Sequence, residues 1–269
     1  MRNKQQLHEL ELAIIVKYND GFSIREISSL LKADRKLIKK YLVRNNVVFR
    51  TLSESNRIYS FDEHIFQNIN SHEKAYWLGF IAADGNIFKN KLKIGLSSKD
   101  STHLEKFKSF MKSSHPINFY FPKIKNKMYK SCEISMCSDK TTNDLFALNI
   151  TSNKSKTLQP PLIDEKYYNS YILGLIDGDG CFSFDKKGQA HLNIIGSLAI
   201  CKFVMDILMK NSGISETKIL EEKRSPGTYY CYFGGNNKIN NIVNFIYRDS
   251  SVFLERKRII VERFLHANI

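Results

Sequence analysis

Apolar residues recur at helical spacing at Leu7, Leu10, Ile14 and Ile15 and stop at Asn19-Asp20-Gly21, which predicts a helix closed by a turn. Ser23 opens a second, short helix with Ile24, Ile27, Leu30 and Leu31 on one face, and Glu26 stands at the third position to complete a capping box. After a tight turn at Lys32-Ala33-Asp34, a third helix runs from Arg35 to Asn45. It turns Leu37, Ile38, Tyr41 and Leu42 inward and Arg35, Lys36, Lys39, Lys40 and Arg44 outward. Residues 51–60 are polar and aperiodic, the pattern of a linker.

Beyond the linker the pattern repeats itself. Tyr76-Trp-Leu-Gly-Phe-Ile-Ala-Ala-Asp-Gly85 returns as Tyr171-Ile-Leu-Gly-Leu-Ile-Asp-Gly-Asp-Gly180. With Asp84 aligned on Asp179, Lys106-Phe107 matches Lys202-Phe203, and Tyr129 matches Tyr229 at the head of a strand-like run. Lys154 and Lys257 follow 70 and 78 residues after the aspartates. Each copy reads helix, strand, turn, strand, helix, strand, strand, helix. The alternating runs Leu92–Ser97, with Lys93 opposite the apolar positions, and His191–Ile195, which includes Asn193, predict strands with one face for a core and one for a polar, anionic partner. Pro160-Pro161 closes the first copy. The expected organisation is a helical head at 1–50, a linker at 51–60, and repeats at 61–161 and 162–269.

Composition narrows the partners. The chain has 269 residues, 42% hydrophobic and 12% aromatic, too apolar for disorder. No window approaches the roughly 18 apolar residues of a membrane span, and no apolar signal core follows the N-terminus, so a cytoplasmic protein without a membrane partner is expected. The cysteines, at 132, 137, 181, 201 and 231, form no zinc-site spacing and read as reduced thiols. The formal net charge is +14, distributed as +6 over residues 1–60, +4 over 61–165 and +4 over 166–269. Such an excess calls for a polyanion, and nucleic acid is favoured over an anionic membrane because no long basic amphipathic helix with a broad apolar face occurs. The head resembles a helix-turn-helix module of the G-x-S-x-x-E-I-x-x-x-L type, which implies that the basic third helix enters a major groove.

Both aspartates fall in the last turn of a predicted helix, where a carboxylate faces the negative end of the dipole at a cost of about 0.3 to 1 kcal/mol. One Asp-Gly alone would be a turn. Its recurrence at matching places marks a site, and a divalent cation would convert the penalty into attraction, because carboxylates and free carbonyls are hard oxygen ligands. Gly79 with Ala82 and Ala83, and Gly174 with Gly178, permit close approach of two helix backbones. If the motif helices pack in parallel, Asp84 and Asp179 emerge side by side, and two adjacent carboxylates repel unless a cation lies between them. That geometry suits metal-assisted phosphodiester hydrolysis. No G-x-x-x-x-G-K-[ST], HExxH or GxSxG motif offers another chemistry.

Over residues 70 to 269 the chain resembles the LAGLIDADG homing endonucleases in their single-chain, two-motif form. The resemblance implies an α/β (α+β) fold of two pseudo-symmetric αββαββα repeats forming a basic saddle, here behind an all-α head. It implies a monomer acting on double-stranded DNA with Mg2+ or Mn2+, cutting both strands across a narrow minor groove to leave short 3′ overhangs. Asp84 and Asp179 would be the catalytic metal ligands, assisted by the carbonyls of Ala83 and Gly178. The family's basic residues near the scissile phosphates correspond to Lys154 and Lys257, with Lys156 and Arg256 as substitutes. The sixth motif position is Ala82 in one copy and Asp177 in the other, and Trp77 replaces a leucine; neither change touches the eighth position. A non-cleaving DNA-binding regulator and a maturase acting on intron RNA are the alternatives.

Overall fold

The computed structural model describes residues 4–50 and 58–267, so most of the linker expected at 51–60 lies outside the described residues. The chain forms two compact units that divide between Ile58 and Tyr59.

The first unit holds three helices, α1 (Lys4–Asn19), α2 (Ile24–Leu31) and α3 (Arg35–Arg44). Glu26 N donates to Ser23 Oγ while Ser23 N donates to the Glu26 carboxylate at 2.7 Å, so the capping box forms as the sequence predicts. Asp34 caps α3 with its side chain alone, accepting from Lys36 N at 2.7 Å. Leu10, Ile14, Tyr18, Ile27, Ile38, Tyr41 and Leu42 make a separate small core. The inward face of α1 is shifted from the expected one. Tyr18 is buried and Leu7 exposed, since the last turn of α1 packs where Arg50 closes over the Tyr18 ring at 4.4 Å. Leu30, expected inward, also lies exposed at the end of α2.

The second unit contains two copies of one topology. The first runs α4 (His72–Asp84), β1 (Gly85–Phe88), β2 (Lys91–Ser97), α5 (Ser101–Phe110), β3 (Asn118–Tyr120), a small hairpin β4 (Lys123–Ile124) and β5 (Lys127–Met128), β6 (Ser131–Cys137) and α6 (Asp139–Ala147). The second runs α7 (Tyr168–Asp179), β7 (Cys181–Phe184), β8 (Ala190–Gly196), α8 (Leu198–Ser212), β9 (Ile219–Glu221), β10 (Tyr229–Gly234) and α9 (Asn236–Tyr247), with a further helix α10 (Glu255–Ala267). The antiparallel sheets are ordered β1-β2-β6-β3 and β7-β8-β10-β9, so the αββαββα repeat expected from the sequence is present twice. Two features differ from the expectation. The first repeat carries the extra β4-β5 hairpin, turned by Lys125 and Asn126 in left-handed conformations, and the second carries α10.

Alternation decides the two faces of each sheet. Ile87, Leu92, Ile94, Cys132, Ile134 and Met136 point into the core of the first repeat, as Phe182, Leu192, Ile194, Cys231 and Phe233 do in the second. Both sets belong to one continuous core centred on α4 and α7, where Tyr76, Trp77, Phe80 and Tyr171 are among the largest fully buried side chains. Among the described residues no helix is long and apolar enough to cross a membrane.

Candidate nuclease site at the paired helix ends

Helices α4 and α7 are apolar on nearly every face because each is buried between its own sheet and the other helix. Glycine is what lets them meet. A Cβ on Gly79 would lie 2.0 Å from the Tyr171 carbonyl oxygen, and one on Gly174 would lie 2.1 Å from that of Tyr76. Further along, a Cβ on Gly178 would lie 2.3 Å from the Ala83 Cβ and 3.5 Å from the Asp84 carboxyl carbon. Partners therefore advance in the same direction on both helices, which makes the packing parallel and ends both at one place.

Asp84 is the last residue of α4 and Asp179 the last of α7. Gly85 and Gly180, which follow, are not left-handed caps: their φ values are −74° and −82°, and each leads directly into a strand. They are glycines because a Cβ there would collide with Ile81 or Ile176 of the preceding turn, at 2.5 and 2.7 Å from the respective carbonyl oxygens. The backbone of each aspartate is thus held at a helix-to-strand corner.

The field at this corner is hostile to unpaired carboxylates. Burial pushes the Asp84 carboxyl up to about 6, Asp179 adds to the rise, and Lys257 and Lys154 oppose it. Asp179 keeps an exposed edge, yet is also raised by the protein packed around it, with Lys154 and Lys257 again opposing. Both lysines are buried, at 7% and 5% exposure, far from the usual surface position of this residue. Burial lowers the pKa of each, and the aspartates work to keep Lys154 charged. Lys154 sits in a single 3-10 turn, Lys154–Lys156, and donates to the Gly85 carbonyl. Lys257, in the first turn of α10, donates to the carbonyls of Ile176 at 2.6 Å, Asp177 at 2.7 Å and Gly180 at 2.6 Å, with Gly178 at 3.3 Å. An ammonium has three protons, and the three short bonds use them, so the Gly178 oxygen keeps lone pairs for another partner.

The substitutes named from the sequence lie elsewhere. Arg256 turns to Asp100 of the first repeat, with both guanidinium contacts near 3.2 Å, and exposed Lys156 packs its stem beside Gly227. The strand residues lie on the sheet faces away from the core: Lys93 pairs with Glu133 at 2.7 Å, and His191 stacks on Tyr232 with a 2.5 Å hydrogen bond to its hydroxyl. Asn193 stands beside Cys181 and Tyr232 on neighbouring strands. Arg35, Lys36, Lys39, Lys40 and Arg44 are all exposed on α3 of the separate head unit.

A buried polar chain at the seam escaped the sequence reading. The Tyr76 hydroxyl donates to Asp177 Oδ2 at 2.7 Å and lies 2.9 Å from His103 Nε2, and Leu254 N also donates to Asp177 Oδ2 at 2.7 Å. Since the hydroxyl proton goes to Asp177, His103 donates through Nε2 and is a neutral imidazole, which burial enforces by lowering its pKa to about 3. Motif position six, Asp177 against Ala82, was the signal that marked this place.

No protein-family model and no curated protein matches the chain. Among solved structures, it is similar to the I-LtrWI LAGLIDADG homing endonuclease bound to target DNA, at 11% identity and TM-score 0.48, over 73% of this chain and 91% of that one. It is also similar to the LAGLIDADG meganuclease I-AabMI bound to uncleaved DNA, at 12% identity and TM-score 0.47, over 71% and 88%. A third is the N-terminal LAGLIDADG domain of DUF199/WhiA, at 18% identity and TM-score 0.44, over 78% and 97%. The chain's own duplicated αββαββα units, with a motif helix from each meeting at a glycine seam, define the two-repeat LAGLIDADG fold.

Proposed function

We propose that this chain is a site-specific double-strand DNA endonuclease of the LAGLIDADG type that uses Mg2+ or Mn2+. The observation that carries the reading is the parallel seam that delivers Asp84 and Asp179 to one corner flanked by two buried lysines. The donor set fits a hard divalent cation: two carboxylates that burial pushes up, Asp84 further by its neighbour Asp179, with the Ala83 and Gly178 carbonyls at the same helix ends. When bound, such a cation supplies Lewis acidity to a water and to the leaving oxygen of a phosphodiester. Asp84 and Asp179 hold it, and the rigid helix-to-strand corners fix where the scissile phosphates must sit. Lys154 and Lys257 offset phosphate charge, Lys154 keeping two protons beyond its bond to Gly85 for a phosphate oxygen.

The polar faces of both sheets supply the DNA surface, through residues such as Lys93, His191 and Asn193, with Lys156 and Arg256 adding charge near the lysine positions. The head acts as a helix-turn-helix module whose α3 presents Arg35, Lys36, Lys39, Lys40 and Arg44 to a major groove, and the chain works as a monomer because it contains both half-sites. The test is Asp84→Asn and Asp179→Asn, assayed for cleavage and for binding on a cleavable duplex. Each variant should lose double-strand cutting while binding stays within a few-fold, since a metal ligand is lost along with some repulsion of phosphate. Full double-strand cutting by either variant would overturn the two-acid assignment. Tight binding without cutting by the wild type would mark a DNA-binding regulator.

A further inference from the structure

The two halves hold their lysines by different means. In the first repeat Lys154 belongs to a one-turn segment entered through Asn153 in a left-handed conformation, and the sixth motif position of α4 is the small, apolar Ala82. In the second repeat Lys257 belongs to a 13-residue helix, and the equivalent motif position is the fully buried acid Asp177. Leu254 is the pivot of that helix. Its carbonyl accepts from Lys257 N at 2.9 Å and Arg258 N at 3.0 Å, which starts α10, while its own N–H points back to Asp177 Oδ2 at 2.7 Å. A buried N–H just before a helix has no intrahelical acceptor and needs one from outside. A carboxylate in that place also meets the positive end of the α10 dipole.

We infer that Asp177 is a positioning residue: by docking the start of α10 through Leu254 N, it delivers the Lys257 ammonium to the end of the second motif helix. The carboxylate oxygen that holds Leu254 is the one that accepts from Tyr76, so its direction is fixed from α4 by a hydroxyl that is itself braced by His103. Two further contacts pin the same turn to the first repeat: Arg256 to Asp100, and Lys106 to Glu255 at 2.7 Å. These outer pairs are partly exposed and individually worth little, whereas the Asp177 bonds are buried and directional. The inference rests on the nuclease reading of the site, but the docking itself is measurable whether or not the chain cuts DNA.

The experiment uses the full chain with 15N-labelled lysine and leucine and compares wild type, Asp177→Ala, Asp177→Asn and Tyr76→Phe. An ammonium donating three short hydrogen bonds in a buried site exchanges slowly enough for its 1H–15N correlation to be followed, and the Lys257→Met variant assigns the signal. Asp177→Ala should abolish the Lys257 signal and lower single-turnover cleavage at least 10-fold, with DNA affinity measured in Ca2+ changed less than 3-fold. Asp177→Asn should restore both, because one amide oxygen can accept from Leu254 and Tyr76 together. An unchanged Lys257 signal in Asp177→Ala would overturn the inference, as would failure of Asn to restore it, which would mean that charge and not docking is what Asp177 provides. If Asp177→Ala does not fold, Tyr76→Phe decides: hydrogen exchange at the Leu254 amide should quicken about 10-fold, while unchanged exchange there would contradict the inference. A chain that fails to cut DNA leaves the two NMR readings intact, so the failure of the nuclease reading is distinguishable from failure of the docking.

Discussion

Asp84→Asn should stabilise the metal-free protein at neutral pH. Burial and the neighbouring Asp179 lift the folded-state carboxyl from 3.8 to about 6, whereas in the unfolded chain it ionises near its ordinary value. A raised folded pKa means that folding favours the protonated acid. That favourable contribution is complete below about pH 4 and is lost as pH rises through about 6, so at pH 7 the ionised carboxylate is a liability. At 1.36 kcal/mol per pKa unit the penalty is at most about 3 kcal/mol, and the partial solvent contact of Asp84 brings it to about 1 to 3 kcal/mol. Asn has nearly the same shape and no charge, so it escapes the penalty.

Scanning calorimetry in EDTA on both proteins would read this as a higher Tm for the variant at pH 7, at roughly 2 to 4 °C per kcal/mol for a unit of this size. The gain should fall to about half at pH 5 and to about a fifth at pH 4, vanishing only below about pH 3, where the carboxyl is protonated in the unfolded chain as well. Mg2+ should then raise the Tm of the wild type and not that of the variant. An unchanged or lower Tm for Asp84→Asn at pH 7, or a gain independent of pH, would refute the reasoning.

Gly79→Ala or Gly174→Ala should cost about 3 kcal/mol or more in calorimetric or denaturant unfolding of the second unit, because the added Cβ falls about 2 Å from a backbone oxygen that cannot yield; a cost below 1 kcal/mol would deny the tight seam. DNA affinity should fall around 10³- to 10⁵-fold between 50 and 200 mM salt if about 6 to 10 phosphates are contacted, and a flat response in a filter-binding titration would mean that the positive charge does not face DNA. The combined Lys36→Ala, Lys39→Ala and Lys40→Ala variant should weaken binding and shorten the footprint on one flank while leaving metal-dependent cutting intact, since these side chains lie on a separate unit; an unchanged footprint would assign the head to protein contacts.

Much of both units was legible because the signals are strictly local or strictly repeated. Alternation placed Leu92 and Ile94 inward and Lys93 outward, and the Ser23–Glu26 box fixed the start of α2 to the residue. Duplication did what a single Asp-Gly could not, since two matching corners imply a shared geometry. Burial of Lys154 and Lys257 was not legible, because their spacing from the aspartates gives only a place along the chain, and the carbonyls that receive them belong to residues about 70 to 80 positions away. Arg256 and Lys257 are adjacent and equally basic, and only the direction of the first turn of α10 sends one to Asp100 and the other into the site. The Tyr76–His103–Asp177 chain was hidden for a similar reason: it joins three elements, and although Asp177 stands out at motif position six, nothing local to it names Tyr76, 101 positions away, or His103 as its partners. The absence of a left-handed glycine at 85 and 180 shows that an Asp-Gly pair can be set by crowding in the preceding turn and not by turn geometry.

The most direct test of the central claim is selection of cleaved sites from a random double-stranded DNA library incubated with the full chain and Mg2+, run in parallel with Asp84→Asn. The account predicts that the wild type yields linear products sharing one sequence, that EDTA abolishes them, and that Asp84→Asn yields none. Recovery of a shared sequence by binding alone, with no cut product from the wild type in Mg2+ or Mn2+, would contradict it.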